Sequence, residues 1–291
     1  MTEVLTVQGR QLGTEDILRI RQLIEENRDW SRRRLSEELS AEWDWRNGSG
    51  RLKDMAARTL LLKLDARGLI ELPPRRRTPS NRMAKGRVSW QSWDTTAVTG
   101  ALRQIGPLMV QEISGDAAER RRFASALAEF HYLGYRGTVG ENVQYTVTDR
   151  TGRLLACLLF GAPAWKCQAR DQFLEWTREQ RERRLFLITN NTRFLILPFV
   201  RVPHLASWIL GQTLRRLSKD WERKYGHPIL LVETFVERDR FAGTSYKAAN
   251  WIRLGSTTGR SRQDRQHTLQ VPVKDVYVYP LYHRFQEELS A

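Results

Sequence analysis

Three carboxylates gather at the end of one apolar run. Residues Ile229 to Phe235 read as a strand, and Glu233, Glu237 and Asp239 fall within it or just beyond. Glu233 and Glu237 are evenly spaced, so they share a face while the strand stays extended. Carboxylates so placed can bind a divalent cation for phosphodiester cleavage. One of them can instead act as general base for acyl transfer, with Tyr246 as the acid. Pairing with Arg238 and Arg240 is the plain structural alternative. The usual metallo-nuclease spacings are absent, so the sequence names neither a metal nor a cofactor.

Two further clusters carry polar chemistry. Phe130-His131-Tyr132-Leu133-Gly134-Tyr135-Arg136 is dense in aromatics. His131 is a catalytic candidate, although a lone histidine among aromatics more often belongs to the core. Tyr132 and Tyr135 can stack on unpaired bases, and Arg136 can hold phosphate. Gly243 to Asn250 forms the second cluster. A short helix there places Lys247 and Asn250 one turn apart, where both can face one ligand. Ser245 has no evident histidine partner, which argues against a triad. Arg260 and Arg262, in a loop of Ser, Thr and Gly, can contact nucleic acid. Cys157 and Cys167 lack zinc spacing with histidine.

These groups must be positioned by a chain with a large cationic surplus. Its 291 residues hold 48 Lys and Arg against 33 Asp and Glu, a net charge of +15. Such a surplus points to a polyanion, most simply DNA. Hydrophobic residues make up 41%, enough for a core. No apolar stretch reaches about 18 residues, so no membrane span is expected. The start lacks a signal-peptide pattern, and a reducing cytoplasmic location is the expectation.

Residues 1–74 read as a winged helix-turn-helix that binds duplex DNA. Thr14 caps a first helix, Ser31 a second, and a third begins near Gly50. Leu69 to Leu72 reads as a closing strand before Pro73-Pro74. Arg32, Arg33 and Arg34 stand at a helix entrance, where phosphates sit well. Arg51, Asp54 and Arg58 fall on one outward face of the third helix. Residues 75–94 form a basic linker that includes Arg75, Arg76 and Arg77, with Pro and Ser replacing the core pattern.

Residues 95–291 read as an α+β domain. A helix over 117–133 precedes strands at 143–149 and 153–161, which the Asp149-Arg150-Thr151-Gly152 turn joins into a hairpin. A helix follows over 168–182. Residues 185–189 and 192–199 read as a second hairpin turning at Asn190-Asn191. A long amphipathic helix spans 204–225, and strands follow at 229–236 and 274–280.

This order resembles the GNAT N-acyltransferase fold. The resemblance implies a central strand, Arg193 to Val200, that splays from its neighbour, with acyl-coenzyme A in the gap. Its pyrophosphate would rest on the helix that follows Pro203. That family's phosphate loop is rich in glycine and basic residues, whereas Arg201 to Ser207 here contains a proline and no glycine. A narrower resemblance covers roughly residues 14 to 283. It rests on residues 130–136, Pro198-Phe199-Val200, Phe241 to Ile252, Leu254 to Arg260 and Lys274 to Pro280. These segments look like the bacterial family containing the A protein of the Druantia anti-phage system. That resemblance implies phage defence, with action beside other defence-system proteins, and brings no settled reaction. The residues themselves place an expected pocket, for nucleic acid and a candidate catalytic one, between 130–136 and 233–250. Relatives fused to transposases imply mobile-element DNA processing as the alternative. Acyl transfer onto nucleic acid is the other.

Overall fold

The computed structural model describes residues 5–7, 10–47, 50–74, 92–259 and 271–291. The chain divides into two compact units, Met1–Asn81 and Arg82–Ala291.

In the first unit, β1 (Leu5–Val7) and β2 (Arg10–Leu12) form an antiparallel hairpin. Three helices follow: α1 (Thr14–Glu26), α2 (Arg32–Glu42) and α3 (Asp54–Asp65). Ser31 caps α2 by accepting from the Arg34 amide at 3.2 Å, satisfying one orphan donor. Ile20, Leu35, Leu39, Leu60 and Leu64 are buried together at helical spacing. Two expectations are corrected. The third helix starts at Asp54, because residues 46 and 52 first close an antiparallel bridge. No strand forms at Leu69–Leu72. Ile70 and Leu72 pack into the helical core instead, and the Leu72 amide donates to Asp65 Oδ1 at 3.0 Å. Prolines at 73 and 74 remove the donors that a ladder needs. The three helices stand, and no strand follows them among the described residues up to Pro74.

The second unit opens with β3 (Val98–Thr99), α4 (Leu102–Ile105), β4 (Met109–Glu112) and α5 (Ala117–Phe130). The hairpin follows as β5 (Val143–Thr148) and β6 (Leu154–Gly161). After it come α6 (Gln168–Phe173), α7 (Arg178–Arg184), β7 (Ile188–Ile196) and β8 (Val200–Arg201). The chain ends through α8 (Leu205–Tyr225), β9 (Leu231–Glu237), α9 (Thr244–Ala248), β10 (Ile252–Ser256), β11 (Lys274–Pro280) and α10 (Phe285–Ser290). Seven strands form one mixed sheet in the order β10-β11-β9-β7-β6-β5-β4.

The sheet is covered on both faces. All eight residues of β6 are buried, which is why its sequence is a continuous apolar run rather than an alternating one. On one face, where Tyr145 reaches Asp220, α8 presents Leu205, Ile209, Leu210, Leu214, Leu217 and Trp221; α5, with Phe123 and Leu127, covers the opposite face of the β5–β6 pair, on the side of Cys157. On the other, α6, α7 and α10 enclose a smaller cluster with Trp176, Leu187, Leu231 and Leu289. Each large apolar side chain so buried stabilises the fold by about 1.5–3 kcal/mol.

Two segments differ from the sequence reading. The expected helix over 168–182 is two helices, because Glu175 takes φ +52°, a left-handed conformation that a helix cannot continue through. Residues 188–196 are one unbroken strand, not a hairpin turning at Asn190-Asn191. That strand pairs with β6 on one side. On the other it pairs in parallel with β9 for only three residues, Ile188↔Leu231, Thr189↔Val232 and Asn190↔Glu233, and the two strands then part.

Candidate functional site

The parting of β7 and β9 opens a cleft of about 880 Å³. That size suits a ligand of nucleotide or drug scale. Residues 190–196 of β7 and 234–236 of β9 form two of its walls. The end of α5 and the segment 240–246 supply much of the rest, with Thr257, Val271 and Lys274 beside them.

A polar network ties the two strands where they separate. Tyr246, on α9, donates its hydroxyl to Asn191 Oδ1 at 2.8 Å. Asn191 in turn donates through Nδ2 to the Leu159 and Arg193 carbonyls, both at 3.2 Å. Thr234 donates its hydroxyl to the Asn191 carbonyl at 3.0 Å. Burial pushes the Tyr246 phenol up to about 12, so it is a neutral hydroxyl at physiological pH. The adjoining Asn190 side-chain oxygen is buried without a hydrogen-bond partner.

At the other side of the cleft stands an aromatic group. His131 and Tyr132 stack with ring centroids 4.9 Å apart, and Phe241 meets Tyr132 edge-on at 5.3 Å. Tyr132 is 40% and Phe241 48% exposed, so both offer ring surface to a ligand. The Leu133 amide donates to His131 Nδ1 at 3.2 Å, which leaves the imidazole proton on Nε2. Burial first, and then the nearby Arg193 guanidinium, lower the His131 pKa to about 4. The ring is therefore neutral at pH 7, with its free-base nitrogen already occupied.

The cleft is cationic. Arg193, Arg240 and Lys274 line it, and no Asp or Glu does so among the described residues. Arg240 pairs with Glu237 at 2.9 Å and lies 5.3 Å over the Tyr132 ring. Arg193 is partly buried and donates to two backbone carbonyls, Gly134 at 3.2 Å and Thr192 at 2.7 Å. Burial lowers its pKa, and the groups opposing that shift are two tyrosines, Tyr132 and Tyr135.

The acidic cluster does not assemble into a site. Glu233 faces away from the cleft and is fully buried. Its Oε2 accepts from Arg170 at 2.9 Å and its Oε1 from the Ala164 amide at 2.6 Å. Arg170 is itself 0% exposed and also holds Asp171 at 2.7 Å. Burial lowers the Arg170 pKa, but Glu233 and Asp171 more than reverse that effect, so the guanidinium stays charged. Glu237 is committed to Arg240, and Asp239 lies exposed in the turn beyond β9. Among the described residues, no group of three or more His, Cys, Asp or Glu can hold a metal ion. Glu233 and Tyr246 lie apart, since one is sealed against α6 and the other lines the cleft.

Other candidates scatter. Tyr135 is packed edge-on against Phe123 at 5.9 Å, and its hydroxyl accepts from Gln144 at 3.4 Å. Arg136 is exposed. Lys247 and Asn250 do not line the cleft, and Asn250 lies beyond α9 at φ +61° rather than one turn along it. In the first unit, Arg32 donates to the Pro73 carbonyl at 2.6 Å and Arg33 pairs with Glu37 at 2.7 Å. Arg34 lies 4.5 Å over the Trp30 ring. Arg51 precedes α3, and its amide donates to Asn47 Oδ1 at 2.9 Å. Arg58 is partly buried, with its Nε unpartnered. Arg75, Arg76, Arg77, Arg260 and Arg262 lie outside the described residues.

The expected pyrophosphate cradle at the start of α8 fits poorly. Val200 and Arg201 are already paired in parallel with Val98 and Thr99. Pro203 lacks an amide hydrogen, His204 is left-handed at φ +63°, and the Leu205 amide donates to the Val202 carbonyl at 3.3 Å. His131, Tyr132 and Tyr246 were named from sequence and line the cleft, but Arg193, Phe241 and Lys274 were not singled out as site residues, and the β7 wall was missed because Asn190-Asn191 looked like a turn. The available signal was the polar run Thr189-Asn190-Asn191-Thr192-Arg193 inside an otherwise apolar strand.

Comparisons with known proteins come at two levels. Among solved structures, a candidate phosphinothricin N-acetyltransferase covers 61% of this chain and 100% of its own, at 11% identity and TM-score 0.40. Spermidine N-acetyltransferase from Vibrio cholerae, solved with CoA and spermine, covers 59% and 92% at 8% identity and TM-score 0.37. A further acetyltransferase from Acinetobacter baylyi covers 60% and 93% at 8% identity and TM-score 0.39. Likeness at this level says nothing of activity. No curated protein matches the sequence. No helix among the described residues is long and apolar enough to cross a membrane. The family model for Druantia protein DruA matches residues 63–270, well over half of the chain, and the chain therefore belongs to the DruA family.

Proposed function

We propose that this DruA-family protein serves phage defence by binding nucleic acid, and that the cleft between β7 and β9 is where its second unit does so. The observation that carries the reading is the charge of the cleft walls. Arg193, Arg240 and Lys274 converge there without a lining carboxylate among the described residues, beside exposed aromatic rings. Cations fix the phosphate backbone, and aromatic faces accept unpaired bases of any sequence. Catalysis through a metal held by Glu233 and Glu237 is not part of the reading, since both carboxylates are committed to arginines.

The first unit is proposed to dock on duplex DNA through its three helices, without the wing strand expected at Leu69–Leu72. Its support is the three-helix arrangement and the arginines at the start of α2. Arg33 and Arg34 keep most of their side-chain surface exposed, at 75% and 58%, despite their local contacts.

The test is fluorescence polarisation with single-stranded and duplex oligonucleotides across a salt series. Three phosphate contacts in the cleft predict a log–log slope of about −2 for single strands. Replacing Arg193 and Lys274 together should flatten that slope by more than half. Absence of binding at low salt refutes the reading.

A further inference from the structure

Arg193 is anomalous in a protein so rich in ion pairs. It is partly buried, it projects from β7 toward the end of α5, and its hydrogen bonds go to the Gly134 and Thr192 carbonyls rather than to a carboxylate. Other arginines of the second unit that are buried to a similar or greater degree behave differently. Arg170 meets Glu233 and Asp171, Arg181 meets Asp171, and Arg122 meets Glu119. A desolvated guanidinium without a counter-charge costs stability, because a buried charge needs pairing. Folds keep such a group where its partner arrives with a ligand.

The surroundings specify that ligand. The two backbone carbonyls fix the guanidinium plane through Nε and Nη1 and leave the rest of the fork for an incoming group. A planar guanidinium fork matches the oxygens of a phosphate in two-point geometry. His131, neutral and with its proton on Nε2, adds a donor rather than a competing cation. Tyr132 stacks on His131 and meets Phe241, so ring surface lies next to the charge. Anion, ring and donor together match the parts of one nucleotide, and the cleft volume of about 880 Å³ accommodates a unit of that scale.

We propose that Arg193 holds the phosphate of a single nucleotide whose base stacks on the Tyr132–Phe241 surface. This rests on the reading of the cleft as the nucleic-acid site and deepens it to one nucleotide in one orientation. The nucleotide can be free, or can be the end or an unpaired member of a strand, and the chemistry at Arg193 is common to these sources.

The test compares four probes on the full chain: thymidine, thymidine 5′-monophosphate, and a short oligothymidylate with and without a 5′-phosphate. Wild type should prefer the monophosphate over thymidine by about tenfold or more, as expected for a charge-assisted pair. Arg193→Gln should erase that preference, while Arg193→Lys should keep part of it. Denaturation provides the second readout. Removing an uncompensated cation should leave the Arg193→Gln midpoint unchanged or raised, which a merely structural arginine would not do. Tight binding of the monophosphate itself identifies a free nucleotide as the source. Preference for the 5′-phosphorylated strand identifies an end, and equal, Arg193-dependent binding of both strands identifies an internal nucleotide. Oligonucleotide binding that ignores Arg193→Gln overturns the proposal but leaves the cleft's wider assignment standing. Binding of none of the probes overturns both.

Discussion

Replacing Glu233 separates a structural carboxylate from a catalytic one. Its side chain and that of Arg170 are both 0% exposed and 2.9 Å apart. Glu233→Ala strands a guanidinium in the interior and deletes the acceptor of the Ala164 amide. Breaking a buried pair from one side costs about 3–5 kcal/mol. Asp171 stays at 2.7 Å from Arg170 and retains part of the compensation, which favours the lower end. For a unit of this size each kcal/mol moves the midpoint by about 2–4 °C, so a fall of roughly 6–20 °C is expected. Glu233→Gln keeps an acceptor for the amide and should cost less. Glu237→Ala is the control, because its partner Arg240 is 57% exposed and such a pair contributes at most about 1 kcal/mol. The assay is chemical denaturation followed by circular dichroism, with oligonucleotide affinity measured at low temperature on the folded fraction. Affinity should survive, because Glu233 does not line the cleft. A Glu233→Ala protein of unchanged stability that has lost function would refute this reasoning.

Gly243→Ala should destabilise by more than about 1 kcal/mol, since φ is +68° and the new Cβ would lie 2.5 Å from the Tyr277 hydroxyl. A denaturant midpoint equal to wild type would contradict that packing. Tyr277→Phe should be neutral or stabilising by up to about 1–3 kcal/mol, because the hydroxyl is buried without a partner. His131 titrates in the folded chain near pH 4 and in the unfolded chain near 6.5. Its depressed pKa means that the unfolded state binds the proton first. Stability should therefore fall as pH drops below about 6.5 and stop falling through this group below about 4. An NMR titration placing His131 above 6 would remove the basis for that trend.

The helical core of the first unit was legible because apolar residues recur at helical spacing behind a serine cap. The hairpin of β5 and β6 was legible because Asp149 to Gly152 is turn chemistry and its own hydrogen bonds close the turn. The cleft was not. Asn190 and Asn191 have turn propensity, and only tertiary pairing with β6 and β9 holds them extended. The carboxylates misled for a related reason. Glu233 and Glu237 do share the spacing of one face, but Arg170, sixty-three residues earlier, reaches Glu233 and neutralises it. Charge cancellation between distant segments leaves no local trace, whereas its failure at Arg193 is visible only once the fold shows no carboxylate paired with it among the described residues.

Photo-crosslinking of a bromodeoxyuridine single strand to the full chain, with adducts mapped by mass spectrometry, tests the central assignment most directly. Adducts on Tyr132 and Phe241 that disappear in Arg193→Gln are the predicted result. Crosslinks that form efficiently yet leave both rings unmodified would contradict it.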